Sequence, residues 1–377
     1  MKTMMKLFVM LLVVAVLAPA ALATFNAGDV RIWTWDSRQQ GGGATGIYRS
    51  NVWPVGGTTT MQFNAPFIDS AGNGGQTFPA DPAGWDAMGN YVYITAPTAP
   101  HSIRRYDLDG KIAPLGLNVI QPGDFTNEVG GFRGIAANDT AGRTGLYVSD
   151  SCPACPNDPS GEVRRYNLDG SFKSMFYEKS NPRASAPWGV LAKNMGQLTW
   201  FNGRLYVQNI DRGGAHNFDI GVFDSDGTYL GDLPGGPITN ASTASRLAIR
   251  PDGTLFVLDR GAPRRVRTWK LGTAADLSDY VDQGTYGEAT AAVTPLVAGA
   301  ADIDIDPRTG ALIMLALDTT NSLNKILQFG SQTGDFIQEV ASWNTSPGTA
   351  RQILIVPEPA TLGLLTLGGF LILRRRR

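Results

Sequence analysis

The chain has 377 residues, and its 32 Lys and Arg residues nearly balance its 33 Asp and Glu residues, which gives a formal net charge of −1. Six of the basic residues and one acidic residue lie in the terminal segments, so the body at 24–356 has a net charge of −6. A body of this charge is not expected to bind nucleic acid or an anionic membrane surface. The 45 Gly and 23 Pro residues suit a fold with many tight turns better than a helical one.

Residues 1–23 have the layout of a secretory signal peptide. Two lysines precede a short apolar run, and a stretch of small residues ends in Ala21-Leu-Ala23. Signal peptidase recognises such a positive region, apolar core and small-residue site, and the run is too short to serve as a permanent anchor. We therefore expect cleavage by signal peptidase before Thr24 and export of the mature chain.

Five apolar triplets recur along the body and indicate an internal repeat. Their centres lie 50 to 59 residues apart, and most of them follow a turn that contains Gly or Asn, as in a β-hairpin. After each triplet and a variable loop comes a second hairpin segment, such as Ile103-Arg-Arg-Tyr-Asp-Leu-Asp-Gly or Val163-Arg-Arg-Tyr-Asn-Leu-Asp-Gly. The triplets are Val92-Tyr93-Ile94, Leu146-Tyr147-Val148, Leu205-Tyr206-Val207, Leu255-Phe256-Val257 and Leu312-Ile313-Met314.

This repeat predicts an all-β fold. Four short strands per unit are typical of propeller blades, which stack around a ring because one blade cannot bury both of its faces alone. Five units are legible, and the segment Val30–Asp69 is predicted to form a sixth, less regular blade. The strand Gln352–Val356 is expected to pair with the N-terminal strands and close the ring. A β-helix and a stacked sandwich are the alternative folds.

The hairpins resemble those of NHL-type and related six-bladed propellers. In these proteins an apolar strand and an Asp-Gly turn are followed by a Tyr-Val-Asp strand end, a loop and a second Asp-Gly hairpin. The resemblance covers roughly residues 84–340 and implies a six-bladed β-propeller body.

The only two cysteines, Cys152 and Cys155, form a Cys-Pro-Ala-Cys segment within a stretch rich in Pro and Asp. Such a stretch is typical of a loop. A thioredoxin-like site would need a helix start here, and a zinc site would need a second pair of ligands. In an oxidising compartment we expect a local disulfide, with metal binding and redox chemistry as the alternatives.

Two acidic patterns are candidate cation sites. Asp302, Asp304 and Asp306 alternate along a predicted strand, which directs all three carboxylates to one face, where they would repel one another unless solvated or neutralised by Ca²⁺. Asp224-Ser-Asp226-Gly resembles part of a calcium loop but falls where other repeats simply turn. We therefore predict a turn at Asp224. For the whole protein, the main prediction is that it has no cofactor, and Ca²⁺ is the alternative.

Two function classes are compatible with such a body. One is a binding or structural propeller, and the other is a metal-dependent lactonase or esterase that uses acidic and Asn side chains near the central channel. No Ser-His-Asp arrangement, Gly-x-Ser-x-Gly motif or phosphate loop is recognisable, so an enzyme is the less favoured class. The candidate residues for such an enzyme lie at or just beyond the ends of the repeated triplets. They are Asp150, Asn209, Asp211, Asp259 and Asp302.

Aromatic and basic side chains add two further expectations. Most of the eight tryptophans are predicted to be core residues between blades, although exposed ones could stack on sugars. Arg104-Arg105 and Arg164-Arg165 precede equivalent tyrosines, which predicts a repeated surface face. The tryptophans are Trp33, Trp35, Trp53, Trp85, Trp188, Trp200, Trp269 and Trp343.

The segment 357–377 has the layout of a stop-transfer signal. Pro357-Glu358-Pro359 breaks the backbone before an apolar run from Ala360 to Leu373. These fourteen residues reach about 21 Å as a helix, which is short of a hydrocarbon core of about 30 Å, but flanking arginines can snorkel and the bilayer can thin. A basic flank stays on the cytoplasmic side, so the body would lie outside the inner membrane. The basic flank consists of Arg374, Arg375, Arg376 and Arg377.

The order of Pro-Glu-Pro, apolar helix and Arg cluster resembles the PEP-CTERM sorting domain. That resemblance implies a signal which an exosortase recognises and cleaves in bacteria that build extracellular polysaccharide. It implies an inner-membrane anchor before processing and a location at the cell surface or in the extracellular matrix afterwards. The expected partners are signal peptidase, exosortase, and an extracellular polysaccharide or a surface protein.

Overall fold

The computed structural model describes a part of the chain that consists almost entirely of β-strands. No helix within it is long and apolar enough to cross a membrane. The predicted signal peptide, the Cys152–Cys155 pair and the segment that follows Pro357 lie outside it. The described residues are 30–36, 46–50, 84–96, 102–108, 131–140, 142–151, 162–177, 195–209, 219–235, 246–259, 264–287, 299–344 and 350–357.

The described strands form six separate antiparallel sheets. Sheet 1 combines β1 (Val30–Asp36) and β2 (Gly46–Arg49) with the last strand, β22 (Ala350–Pro357), whereas each of the other sheets consists of consecutive strands. Sheet 2 contains β3 (Gly84–Met88), β4 (Tyr91–Ala96) and β5 (Ser102–Asp107). Sheet 3 contains β6 (Gly131–Asn138), β7 (Gly145–Ser151), β8 (Val163–Tyr166) and β9 (Phe172–Tyr177).

The remaining three sheets have four strands each among the described residues. Sheet 4 contains β10 (Met195–Phe201), β11 (Arg204–Asn209), β12 (Ile220–Phe223) and β13 (Tyr229–Asp232). Sheet 5 contains β14 (Leu247–Ile249), β15 (Thr254–Asp259), β16 (Arg265–Lys270) and β17 (Val281–Thr285). Sheet 6 contains β18 (Ala300–Ile305), β19 (Leu312–Asp318), β20 (Leu323–Phe329) and β21 (Phe336–Asn344).

The sheets are arranged in a ring around their inner strands. Contacts run from β22 to β3, then to β6, β10, β14 and β18, and from β18 back to β22. Each of these strands lies at one edge of its own sheet. The predicted all-β propeller is therefore confirmed, and the alternatives of a β-helix and a stacked sandwich are wrong. Five sheets are blades of consecutive strands, one fewer than the six predicted, and the remaining sheet is the composite sheet 1.

The predicted ring closure is also confirmed. Strand β22 pairs with β1 in a continuous antiparallel register from Val30 opposite Pro357 to Trp35 opposite Gln352, with an irregularity before Asp36. The first strands of the described chain are thus joined to its last strand. Closing the ring in this way removes two exposed sheet edges.

The hydrophobic core lies between neighbouring sheets. The five repeated triplets lie within β4, β7, β11, β15 and β19, and all of their side chains are buried, as expected for second strands covered on both faces. Of the tryptophans whose side chains are described, Trp33, Trp85, Trp269 and Trp343 are buried and Trp200 is partly buried, which confirms the prediction for these residues.

The arginine pairs do not form a surface face. Arg104, Arg105 and Arg164 are buried. The Arg105 guanidinium lies 4.6 Å from the centre of the Tyr91 ring and donates a hydrogen bond of 3.2 Å to the carbonyl of Leu168, in the turn after β8. A long aliphatic stem lets the charged group reach from sheet 2 to sheet 3, so the sequence prediction of exposure is wrong.

Glycines allow the inner strands to approach one another closely. A Cβ atom added at Gly134 on β6 would lie 2.4 Å from the carbonyl oxygen of Gly196 on β10. The Ser149 side chain bridges the same two strands, because its Oγ accepts a hydrogen bond from the Gly134 N–H at 2.8 Å and donates one to the Gly196 carbonyl at 2.6 Å. At this point the backbones of the inner strands of sheets 3 and 4 are in direct contact.

Strand β22 contributes apolar side chains to both of the interfaces that sheet 1 forms. Ile353 and Ile355 belong to the core shared with sheet 6, whereas Leu354 and Val356 belong to the core shared with sheet 2. Full burial of one such side chain stabilises a fold by about 1.5–3 kcal/mol. Losing this strand would expose four of them and both neighbouring sheets.

We predict that Ile353→Ala lowers the free energy of unfolding by about 2–5 kcal/mol, because Ile353 is fully buried between sheets 1 and 6. The matched control is Ile337→Ala on β21, where the side chain is 54% exposed and the change should stay within about 0.5 kcal/mol. Urea unfolding followed by tryptophan fluorescence measures both variants. Equal losses for the two variants would contradict the assigned position of β22.

Candidate functional site

An ionic cluster occupies the centre of the ring. Asp86 lies on β3, Asp304 lies on β18, and Arg246 immediately precedes β14. The Arg246 guanidinium is 3.0 Å from the Asp86 carboxylate and 3.2 Å from the Asp304 carboxylate. Because sheets 2 and 5 stand on opposite sides of the ring, the side chain of Arg246 spans the ring centre.

The carboxylates also bind backbone N–H groups of the neighbouring inner strand. Asp86 accepts a hydrogen bond of 2.9 Å from the Ala137 N–H on β6, and Asp304 accepts one of 2.7 Å from the Ile355 N–H on β22. An inner strand has no partner strand on its channel side, so a side-chain acceptor satisfies N–H groups that would otherwise be buried and unpaired. The cluster therefore ties neighbouring sheets together.

Asp302 extends the same arrangement. Its two carboxylate oxygens accept hydrogen bonds from the Arg246 N–H at 2.9 Å and from the Ile353 N–H at 3.0 Å. Asp302 and Asp304 thus bind alternate N–H groups of β22. The alternation predicted for these two acids is the geometric basis of this contact, since residues i and i+2 of a strand face the same side.

The cluster carries three carboxylates and one guanidinium. Burial raises the pKa of both Asp86 and Asp304 above their ordinary value of 3.8, against the opposing effect of Arg246. Burial disfavours the charged form of Arg246, but the carboxylates of Asp304, Asp86 and Asp302 outweigh it and raise the pKa of the guanidinium. One cation cannot fully compensate three buried acids, so protonation of Asp86 or Asp304 relieves the site.

The three acids predicted to hold Ca²⁺ have different roles in the structure. Both carboxylate oxygens of Asp302 and both of Asp304 accept hydrogen bonds. Three of these contacts are given above, and in the fourth Asp304 Oδ1 accepts a hydrogen bond from the Ile305 N–H at 2.8 Å. Asp306 instead closes the β18–β19 turn, where it binds the Arg308 guanidinium at 2.8 Å and the Thr309 hydroxyl at 3.0 Å. Among the described residues, no group of three His, Cys, Asp or Glu side chains is arranged to hold a metal ion. The calcium site stays a hypothesis that these contacts do not favour.

The other acidic pattern is a turn, as predicted. Asp224 Oδ1 accepts hydrogen bonds from the backbone N–H groups of Asp226 at 2.9 Å and Thr228 at 2.8 Å, which fixes the tight turn between β12 and β13. The carboxylate is therefore used within its own turn.

The candidate residues for a lactonase are distributed over several sheets. Asn209 ends β11 and Asp259 ends β15, and both are buried. Asp259 forms an ion pair of 3.0 Å with Arg265 on the next strand. Asp150 lies on β7 opposite Phe132, and Asp211 lies outside the described residues. Among the members of this set whose side chains are described, Asp302 alone belongs to the central cluster.

Of the predicted processing residues, Pro357 is the one that the structure describes. Pro357 is the last residue of β22 and pairs with Val30. The cleavage-site residues Ala21 and Ala23, the Cys152–Cys155 pair, and the sorting residues Glu358, Pro359, Arg374, Arg375, Arg376 and Arg377 lie outside the described residues.

Sequence reasoning missed Asp86 and Arg246. Asp86 stands opposite Tyr93, and Asp304 stands opposite Ile313, so the two acids face the central residues of two equivalent triplets. Extending the repeat alignment one strand upstream of each triplet would have found Asp86. No comparable signal marks Arg246, which lies before a strand of three residues.

One family model matches the end of the chain. Residues 356–377 match the PEP-CTERM protein-sorting motif. This motif implies export, membrane anchoring and processing by an exosortase, and it begins at the second-last residue of β22. None of the curated proteins compared matches this chain.

Two solved structures show the same kind of fold. A nidogen/laminin complex aligns with a TM-score of 0.51 and 14% identity, covering 87% of this chain and 98% of that chain. A suggested 6-phosphogluconolactonase from Bacteroides fragilis NCTC 9343 aligns with a TM-score of 0.52 and 14% identity, also covering 87% of this chain and 98% of that chain. At this identity the likeness shows the propeller fold alone.

We predict that the free energy of unfolding of the wild-type protein, minus that of the Asp86→Asn variant, decreases as the pH rises from about 4 to about 7. Because the pKa of Asp86 is raised, the folded state binds more protons than the unfolded state above pH 3.8. The contribution of Asp86 to stability is therefore largest at low pH, and it is lost as the pH rises past the raised pKa. Urea unfolding at several pH values measures the difference. Asp139→Asn, at an exposed position, is the control for removal of one charge. A difference that grows with pH would mean that the ion pair with Arg246 outweighs burial.

Proposed function

We propose that this protein is an exported protein of the cell surface or extracellular matrix, sorted by an exosortase, with a propeller body that binds or supports a surface component. The observation that carries the proposal is the position of the sorting motif. The matched segment starts at Val356, within the strand that closes the ring, so the body and the signal are directly continuous. A folded domain joined in this way is delivered as one unit to the place where the signal is read.

Although only five sheets are blades of consecutive strands, we propose that the composite sheet 1 acts as a sixth blade. Its composite sheet 1 contributes an inner strand, β22, that contacts both β3 of sheet 2 and β18 of sheet 6. These contacts support the proposal, as does the pairing of the N-terminal strands β1 and β2 with β22 in the same sheet. We assign sheet 1 as the sixth blade.

A binding role for the body is supported by the use of its central acids. Arg246 and the backbone of β22 occupy the carboxylates that a channel-centred enzyme would use. The outermost strands of sheets 3, 5 and 6, in contrast, carry large exposed apolar side chains. The body charge of −6 favours a neutral polysaccharide or a basic surface protein over an anionic polymer. The exposed side chains are Phe172, Val281, Phe336 and Ile337.

The second candidate is a metal-dependent lactonase. It is supported by the three acids at the ring centre and by the shared fold with the Bacteroides protein. Such an enzyme needs carboxylate oxygens that are open to the metal, with a further position for water or substrate. Because the oxygens of Asp302 and Asp304 already accept hydrogen bonds, we rank this candidate below the binding protein.

We predict that a chain ending at Pro357 is exported but no longer held at the membrane or sorted. In a host with the matching exosortase, the full chain should be found at the surface in a shortened form, and deletion of the exosortase should leave it membrane-bound at full length. Fractionation with immunoblotting distinguishes these forms. An identical distribution of full and truncated chains would refute the sorting proposal.

The metal alternative predicts a different response. If the body is a metal-independent propeller, micromolar Ca²⁺ or Zn²⁺ should leave its melting temperature unchanged. A metal-induced increase that is lost in Asp302→Asn but kept in Asp139→Asn would instead favour the lactonase. Each variant is compared with and without metal, so that any change in basal stability cancels.

A further inference from the structure

The large apolar side chains that are exposed in the described part of the chain all lie at one end of the propeller. They are Phe172, Val281, Phe336 and Ile337, and each is between 41% and 54% exposed. The first three begin the outermost strands β9, β17 and β21, and Ile337 follows directly on β21. We call these four side chains the apolar rim.

Strand β22 ends at the same end of the ring as β18. Asp302 and Asp304 on β18 bind the N–H groups of Ile353 and Ile355 in the same order, so the two strands run in the same direction. Pro357, the last residue of β22, therefore lies beside the turn that follows β18.

The rim residues of sheets 6 and 5 lie at this end as well. Phe336 belongs to the row of paired residues that starts at the last residue of β18. In sheet 5, Val281 is level with Thr254, directly after the turn that follows β14. The row across sheet 6 consists of Ile305, Leu312, Phe329 and Phe336.

The rim residue of sheet 3 is at the same level. Strand pairing places Phe172 in one row with Ala137, the second-last residue of the inner strand β6. Ala137 donates a hydrogen bond to Asp86. The Arg246 guanidinium joins Asp86 to Asp304, which is the second-last residue of β18. The rim thus extends around the ring over sheets 3, 5 and 6.

The predicted membrane anchor is connected to this end of the ring by a short link. Only Glu358 and Pro359 separate Pro357 from the apolar run that begins at Ala360. Two extended residues span about 7 Å, which is similar to the headgroup layer of about 5–8 Å on one side of a bilayer. The opposite end of β22, at Ala350, is about 23 Å further along the strand. In the anchored protein, the end that carries the rim therefore faces the membrane.

The chemistry of this end suits a neutral lipid surface. Apolar side chains gain free energy when they leave water for the headgroup boundary. The turns at the same end carry exposed acids such as Asp139, Asp226 and Asp335, which anionic lipids would repel. The free body is therefore not expected to bind a membrane, but an anchor raises its local concentration at the surface, which makes a weak contact effective.

We propose that the apolar rim lies against the lipid headgroups while the protein is anchored, and that the opposite end of the propeller points away from the membrane. This inference rests on the proposed function, because it concerns the anchored form. It assigns a lipid contact to side chains of β9, β17 and β21. Release from the anchor uncovers the rim for the binding role proposed above.

The first test compares two exposed positions at opposite ends of sheet 6. Gln332 lies in the turn between β20 and β21, and Thr319 lies in the turn between β19 and β20. The full chain with Gln332→Cys or Thr319→Cys, and with both natural cysteines replaced by serine, is labelled with a fluorophore and reconstituted into phosphatidylcholine vesicles that contain a headgroup-nitroxide lipid. We expect quenching at position 332 to be at least about threefold stronger than at position 319, because the nitroxide acts at short range in the headgroup layer.

The possible outcomes separate this inference from the sorting proposal. Equal quenching at the two positions, or stronger quenching at position 319, would overturn the inference and leave the sorting proposal intact. Failure of the full chain to float with the vesicles would contradict the membrane anchoring itself, and the inference with it. Efficient disulfide cross-linking between unlabelled copies that carry Gln332→Cys would assign the rim to a second copy of the chain and would also overturn the inference.

The second test changes the rim. Phe336→Ser combined with Ile337→Ser alters exposed side chains, and Thr319→Ser combined with Thr320→Ser is the matched control at the other end of the sheet. With the label at position 332, we expect quenching to fall below about half in the rim variant and to stay unchanged in the control, with little effect of either on the melting temperature. Unchanged quenching in the rim variant would refute the lipid contact.

Hydrogen exchange checks the same contact in the chain with its natural cysteines. In phosphatidylcholine vesicles, residues 331–335 should exchange faster in the rim variant than in the wild-type protein, because the lipid contact that covers this turn is lost. Residues 319–323 should exchange equally in both. Equal exchange of residues 331–335 in the two proteins would contradict the proposed orientation.

Discussion

The structure depends on one strand pairing. Strand β22 lies at the centre of the ring, pairs with β1 and contacts sheets 2 and 6, so the two ends of the described chain hold the propeller closed. Each sheet buries its faces only against its neighbours, and a ring with a gap would expose two of these faces and two strand edges. The stability of every sheet is therefore linked to a contact between residues more than 300 positions apart.

The ionic cluster serves the same closure. Asp302 and Asp304 accept hydrogen bonds from N–H groups of β22. Asp86 on sheet 2 accepts one from an N–H group of sheet 3, and Arg246 connects opposite sides of the ring. Buried charges are costly unless they are paired and hydrogen-bonded, and here most of the polar partners are backbone groups of inner strands. This use of the carboxylates explains why a ring of acids at the channel can be structural in this protein, although a similar position would suit a metal in an enzyme.

Sorting and folding meet at the end of β22. The segment that matches the PEP-CTERM motif starts within the strand, so its first two residues are part of the folded ring. Val356 and Pro357 therefore belong to the ring and to the matched signal at the same time. A longer linker would make the two independent, but this chain has only Glu358 and Pro359 between strand and apolar run.

The sequence by itself determined the repeat, the propeller class, the closing strand and the sorting signal, because hydrophobic triplets, Gly-containing turns and a Pro-Glu-Pro tail are local patterns. It also identified Asp302 and Asp304 as acids on one face of a strand, but assigned them to a cation. Only the tertiary structure decided that their partners are Arg246 and the N–H groups of β22, since these lie about 50 residues away along the chain and meet the acids across a sheet interface. The burial of Arg104 and Arg105 was missed for the same reason, as the carbonyl that binds Arg105 belongs to the next sheet. Local pattern fixes which strands form, whereas the pairing of charges depends on which strands become neighbours in the ring.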